Sequence, residues 1–232
     1  MNFIENEIFL LSLTFAVFLA SRMLQSRTGL VFLNPILVSI VVLIAFLSFS
    51  GVSYGTYSDS CRYIDFWLKP AVVALGVPLY RQLEAIKKQI LPLLLAELAG
   101  CVVGIVSVVL VAELLGATRE VVMSLAPKAV TTPIAIEISS AMGGIPALTA
   151  SVVICTGIFG GMAGFRMVKM SHIKSPIATG ISLGTAAHAV GTSAAMEKGY
   201  RYGAFSSLGL TLNGLFTALL APFILSLMGY SA

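Results

Sequence analysis

The chain has 232 residues, of which 58% are hydrophobic and only 10% are charged, and its mean hydropathy is +0.99. Because one helical membrane span needs about 20 apolar residues, these values exclude an ordinary soluble domain and predict an all-α polytopic membrane protein. The formal net charge of +4 does not indicate nucleic-acid binding, since the basic residues are scattered through short loops. Three cysteines without a CxxC spacing and two histidines predict no disulfide framework, no metal site and no cofactor.

About eight hydrophobic elements, each near the length of a helical span, follow one another along the chain. They lie near 8–21, 30–53, 64–80, 90–113, 121–143, 146–166, 175–196 and 203–228. We expect the first to be a span rather than a signal peptide, because Glu5 and Glu7 stand where a signal peptide is positive. The elements 121–143 and 175–196 contain polar and helix-interrupting residues, so we expect both to be broken or re-entrant.

The basic residues predict the topology, because cytoplasmic loops carry an excess of lysine and arginine. Ten of the 14 basic residues lie in the loops 22–28, 81–89, 166–174 and 197–202. All four loops can be cytoplasmic only if 121–143 and 175–196 each enter and leave the membrane on one side. If both segments instead cross as broken helices, the loop 166–174 faces outward. We prefer the re-entrant arrangement.

A pattern of proline and glycine indicates an internal repeat, with halves at about 30–115 and 120–230. Subtracting the paired positions gives offsets of 54 to 57 between Pro70, Pro78, Pro92, Gly100, Gly104 and Pro127, Pro133, Pro146, Gly157, Gly161. Repeats with interrupted segments at matching positions are typical of secondary transporters and of their substrate sites. The repeat disagrees with the re-entrant topology, since it pairs a full span with a hairpin, and both alternatives stay open.

The segment 126–140 gives the strongest indication of a functional site. Lys128, Thr131 and Thr132 stand in an apolar sequence between two prolines that interrupt helical hydrogen bonding. An ammonium beside freed backbone groups and hydroxyls can bind an anion, and ionisable residues at membrane depth usually line a substrate path. In the alternative interpretation the Lys128 ammonium reaches the membrane interface while its stem lies in lipid.

A second polar stretch, 176–193, places Thr185 and Thr192 around His188 among several glycines. His188 titrates near physiological pH, so it suits proton coupling or carboxylate binding. The alternative is a neutral histidine bonded to a neighbouring helix. Glu137 is a further candidate for coupling to a proton or cation, or else merely the polar end of its element.

Three other features have simpler interpretations. Glu97 lies within a span and could pair with a cation, but its partner is open, whereas Asn213 is expected to make an interhelical hydrogen bond. The GxxxG pairs indicate close helix packing. Because the sequence contains no Ser/His/Asp, P-loop or zinc-binding pattern, we do not expect an enzyme.

Two motifs resemble the LrgB/CidB family. They are Ser-Leu-Ala-Pro-Lys-Ala-Val-Thr-Thr-Pro-Ile-Ala at 124–135 and Gly-Thr-Ala-Ala-His-Ala-Val-Gly-Thr at 184–192, with further matches at 33–35, 70–80, 143–146 and 203–208. The resemblance covers nearly the whole chain and implies a single LrgB-like transmembrane domain over 1–232. The family more usually has serine where Ala129 and Ala187 stand, so those hydroxyls are absent from the site here.

The resemblance implies a multi-pass protein of the bacterial inner membrane, encoded beside a small membrane partner of the LrgA/CidA type. Two functions are attached to the family: transport of small carboxylates, as in the plastidial glycolate/glycerate translocator and pyruvate-uptake members, and holin/antiholin-like modulation of murein hydrolase export and autolysis. The residues favour transport, since a pore former requires neither Lys128 nor His188. We expect a homo-oligomer that binds a small monocarboxylate, with coupling to protons at Glu137 or His188. The predicted substrate-binding residues are Lys128, Thr131, Thr132, Thr185, His188 and Thr192.

Overall fold

The computed structural model describes residues 3–30, 33–74 and 76–230, which form helices and the turns between them, without a β-strand in these ranges. After a short 3-10 helix at Phe3–Glu5 come twelve α-helices in the described ranges. They are α1 (Glu7–Thr28), α2 (Pro35–Ser50), α3 (Tyr54–Ser60), α4 (Arg62–Ala74), α5 (Gly76–Arg81), α6 (Leu83–Lys88), α7 (Ile90–Leu114), α8 (Arg119–Leu125), α9 (Thr132–Met142), α10 (Pro146–Met170), α11 (Pro176–Lys198) and α12 (Tyr200–Leu227).

Local sequence explains where several helices begin and end. The Asn34 side chain accepts the Ile36 N–H at 2.9 Å at the start of α2, and the Ser175 side chain accepts the Ala178 N–H at the start of α11. Proline occupies the first turn of α2, α9, α10 and α11, where its missing N–H costs nothing. Gly143 ends α9 with a φ of 83°, a left-handed conformation that glycine adopts without strain.

The chain divides into two compact units, one ending at Ala74 and one comprising the rest of the chain. In the first unit α1 packs against α2 and α3, and the hydroxyls of Thr14 and Tyr57 lie 2.9 Å apart. In the second unit α12 packs against α7, α9 and α11. Its main apolar core joins α7, α8, α9 and the end of α12 around the fully buried residues Val109, Val122 and Leu225.

Close packing of α10, α11 and α12 depends on glycine. A Cβ at Gly184 of α11 would overlap the carbonyl oxygen of Ser206 on α12, and a Cβ at Gly160 of α10 would overlap the Cβ of Ala187 on α11. The backbones can therefore approach each other only where a side chain is absent.

The protein is a membrane protein. Within the described residues, α1, α7, α10 and α12 are the four helices long and apolar enough to cross a membrane by length and composition, and α2 is a shorter apolar helix. Large apolar side chains are exposed on these helices: Phe49 on α2 is 92% exposed and Leu114 on α7 is 86% exposed. Such a surface is unfavourable in water and suits contact with lipid.

The expected element near 64–80 falls on two described helices. They are α4 and α5, and residue 75 between them lies outside the described residues. The total of about eight membrane elements, the re-entrant course and the internal repeat stay predictions.

Candidate functional site

Both polar segments contain non-helical backbone. Residues 126–131 separate α8 from α9 and form tight turns, in which the Lys128 N–H donates to the Leu125 carbonyl at 3.1 Å. Within α11, the backbone leaves the helical region at Ala187 (φ −133°, ψ 17°) and His188 (φ 40°, ψ −133°). A positive φ is uncommon for histidine, so α11 is kinked at this point.

Asn213 of α12 connects the two interrupted segments. Its side-chain amide is buried and donates at 3.0 Å to the Ala129 carbonyl in the turn and at 3.0 Å to the Thr185 carbonyl just before the kink. A side-chain amide carries two N–H donors, and here both are used. The expected interhelical hydrogen bond of Asn213 is thus confirmed, and it holds the two breaks against the same helix.

A cavity of about 320 Å³ lies beside this bridge, between α7, the turn, α11 and α12. Its wall is largely formed by alanine, glycine, valine and isoleucine. The polar side chains in the wall are Cys101, Lys128, Ser182, Thr185, Asn213 and Thr217. The volume falls within the usual range of small-molecule sites, and a mostly apolar wall with few polar groups is their usual composition.

Lys128 is half-buried in this wall and forms no salt bridge with any residue in the described ranges. It is also the one charged side chain among the described residues that line the cavity. An ammonium removed from water without a counter-charge is unfavourable. The cavity therefore offers a positive group that an anionic ligand would neutralise.

Glu97 of α7 adjoins the same wall. Its side chain is fully buried, and its Oε1 accepts a hydrogen bond from the Thr185 hydroxyl at 2.6 Å. The sequence leaves the partner of Glu97 open, and the structure identifies Thr185.

The predicted site residues divide between the cavity and the helix packing. Lys128 and Thr185 line the cavity. His188 instead lies with its Nε2 2.9 Å from the Val153 carbonyl oxygen of α10, which matches the alternative of a histidine bonded to a neighbouring helix. The Thr192 hydroxyl donates to the His188 carbonyl at 2.9 Å and lies 3.0 Å from the Ser206 hydroxyl.

The other predicted residues lie at α9. Thr131 and Thr132 are partly buried at its start, and neither belongs to the cavity wall in the described structure. Glu137 is exposed on α9, likewise outside the wall. Sequence reasoning missed Ser182 and Thr217 as lining residues, because their only signal is a hydroxyl within an otherwise ordinary apolar stretch.

Comparison with known proteins gives one consistent result. The profile of the LrgB-like family matches residues 14–227. "Uncharacterized protein YxaC" of Bacillus subtilis is 37% identical over 217 residues, which cover 94% of each chain. "Holin-like protein CidB" of Staphylococcus epidermidis is 32% identical, covering 98% of this chain and 99% of the relative. "Antiholin-like protein LrgB" of Bacillus mycoides is 33% identical, covering 91% and 92%. No solved structure matches significantly.

Proposed function

Because this chain belongs to the LrgB-like family, we propose that it is a bacterial inner-membrane protein that transports a small monocarboxylate through the cavity beside Lys128. The observation that carries the proposal is the half-buried Lys128 ammonium, which has no salt-bridge partner among the described residues and is the one charge in their cavity wall. A lysine at membrane depth is unfavourable by about 2.5–3.5 kcal/mol on insertion scales, so a counter-charge is expected. A carboxylate supplies that counter-charge and accepts hydrogen bonds from the ammonium.

The cavity also supports a restriction on the substrate. One positive group balances one negative charge, which favours a monocarboxylate over a di- or tricarboxylate. The Ser182 hydroxyl adds a donor for a carboxylate or for a hydroxyl or keto group, and the remaining wall is mostly apolar. Glycolate, glycerate and pyruvate have this combination of one charge, a short carbon chain and at least one further polar group.

A second candidate function is holin/antiholin-like modulation of murein hydrolase export and autolysis. The names of the relatives, "Holin-like protein CidB" and "Antiholin-like protein LrgB", support it more directly than they support transport. In this function the exposed apolar helices would assemble into a homo-oligomer or associate with an LrgA/CidA-type partner. Neither assembly requires an unpaired cation in a small cavity.

Uptake into proteoliposomes separates the two candidates. The purified chain is reconstituted with and without an LrgA-type partner, and the entry of labelled glycolate, glycerate and pyruvate is compared with the release of a trapped uncharged dye. Transport predicts saturable carboxylate uptake and retention of the dye. Release of the dye without saturable uptake would exclude the transport function and favour the holin-like one.

A further inference from the structure

One buried acid beside the cavity, Glu97, has no role in the proposed anion site. Glu97 is 0% exposed, and its Oε2 has no hydrogen-bond partner in the part of the chain that the structure describes. Its neighbours Ala96 and Cys101 line the cavity, as does Thr185, which donates to its Oε1 at 2.6 Å. The carboxyl group thus contacts Thr185 of the wall without itself belonging to the wall.

Among the residues that the structure describes, no charged group pairs with Glu97. Thr185 faces it from α11, the Cys101 thiol lies one turn further along α7, and on α12 the facing residue is Gly209. Among the described residues, no ionisable side chain of α6, α8, α11, α12 or the turn with Lys128 forms a hydrogen bond or ion pair with it. One hydroxyl donor does not compensate the desolvation of a carboxylate, whereas a protonated carboxyl group is far cheaper to bury.

The residue of α12 that faces this carboxyl group is a glycine, which leaves room for it. A Cβ added at Gly209 would stand 2.8 Å from Glu97 Oε1 and 2.8 Å from the Ile181 carbonyl oxygen. The residue facing Glu97 must therefore be small, and the acid lies in a fixed position between α7, α11 and α12.

We propose that Glu97 is a proton-binding site coupled to the anion in the cavity, an inference that rests on the proposed transport function. With Glu97 neutral, the site carries the single positive charge of Lys128, and one monocarboxylate neutralises it. With Glu97 ionised, a second negative charge would repel the anion across the wall. When a proton from water binds at the carboxylate, an O–H bond forms there and the anion binds more tightly. Linkage requires the converse, so anion binding draws a proton onto Glu97.

This assignment differs from the two coupling groups expected from sequence, Glu137 and His188, which stay predictions. The His188 Nε2 lies 2.9 Å from the Val153 carbonyl oxygen of α10, and Glu137 is exposed on α9. Neither belongs to the cavity wall in the described residues. Glu97 has the burial, the position and the unpartnered oxygen that a proton site requires.

Calorimetric titration of the purified protein with pyruvate, across pH and in buffers of different ionisation enthalpy, tests the proposal. In the wild type, the affinity for pyruvate should fall by up to about tenfold per pH unit once the pH exceeds that at which free Glu97 loses its proton. In that range, pyruvate binding should be accompanied by the uptake of a proton. Glu97→Gln mimics the neutral acid, so it should bind pyruvate at all pH values without proton uptake. Glu137→Gln should behave as the wild type.

The possible results separate this proposal from the proposed function. A Glu97→Gln protein with wild-type pH dependence, or loss of that dependence in Glu137→Gln instead, overturns the assignment while the anion site stands. Absence of carboxylate binding at every pH overturns the transport function and this proposal with it. If Glu97→Gln does not fold, Thr185→Val provides the test: without the hydroxyl that favours the ionised acid, the fall in affinity should move to higher pH, and an unmoved profile refutes the proposal.

Discussion

At the scale of single residues, the ammonium of Lys128 and the carboxyl group of Glu97 adjoin one cavity without forming a salt bridge. A direct pair would neutralise both groups and remove any electrostatic preference for a ligand. Kept apart, the first group can bind an anion and the second can bind a proton. Thr185, a residue of the cavity wall, donates a hydrogen bond to the acid.

Lys128→Met should abolish carboxylate uptake. The substitution keeps much of the stem but removes the positive charge, and a hydrogen bond to a charged group alone contributes about 1.5–3 kcal/mol. Lys128→Arg should impair uptake without abolishing it, because a planar guanidinium does not replace a compact ammonium. Uptake of labelled pyruvate into proteoliposomes measures both effects.

The matched control for this prediction is Lys169→Met, at an exposed residue of the last turn of α10. It removes the same charge outside the cavity wall and should leave uptake unchanged. Full transport by Lys128→Met at equal protein levels would show instead that this ammonium only reaches the membrane interface.

At the scale of elements, the site depends on how closely α11 approaches α12. Gly184 stands where any side chain would overlap the Ser206 carbonyl oxygen, one residue before the Thr185 that lines the cavity. The positions of Thr185 and of its hydrogen bond to Glu97 follow from that contact. The packing of two helices thus sets the geometry of the cavity wall.

Gly184→Ala should lower the unfolding free energy by about 1–3 kcal/mol, the usual cost of overpacking a tight contact. Thermal denaturation in detergent measures the loss. Gly104→Ala on α7 is the control, since a Cβ there meets nothing within 4 Å. That variant should be unchanged or up to about 1 kcal/mol more stable, because alanine favours a helix over glycine. Equal stability of the two variants would contradict the close contact at Gly184.

The elements show which parts of the fold local sequence determines. The expected range 90–113 agrees closely with α7, because a long apolar run needs only its own backbone hydrogen bonds to form a helix in lipid. The kink in α11 is confined to Ala187 and His188, and glycines and threonines alone cannot specify its position. The partners of Asn213 lie 84 and 28 residues away, so they follow from tertiary packing that no local pattern contains.

At the scale of the whole molecule, the candidate site belongs to one of the two units. The cavity, Glu97 and both interrupted segments all lie after Ala74, in the second unit. Two of its helices, α7 and α10, flank the interrupted segment 121–143 in sequence. The side of the membrane on which α10 ends therefore determines whether that segment is re-entrant or crossing.

The segment 166–174, which comprises the end of α10 and the turn after it, should be cytoplasmic, because it carries three basic residues. In a chain whose native cysteines are replaced, Met170→Cys should resist a membrane-impermeant thiol reagent added to intact cells. Ala117→Cys, between α7 and α8, is expected outside and serves as the positive control. Modification of position 170 from outside would refute the re-entrant topology and favour two crossing, broken helices.

The double hydrogen bond of Asn213 has a consequence for how the cavity opens. If the turn at Ala129 or the end of α11 at Thr185 moves away from α12, one donor of the amide loses its buried acceptor. Leaving a buried N–H without an acceptor costs about 1–3 kcal/mol. A cavity that widened gradually would break the Asn213 hydrogen bond before there was room for a water molecule to replace it. We therefore expect the open and closed forms of the cavity to exchange as two discrete populations. Both hydrogen bonds of Asn213 are intact in the closed form, and at least one of them is broken in the open form.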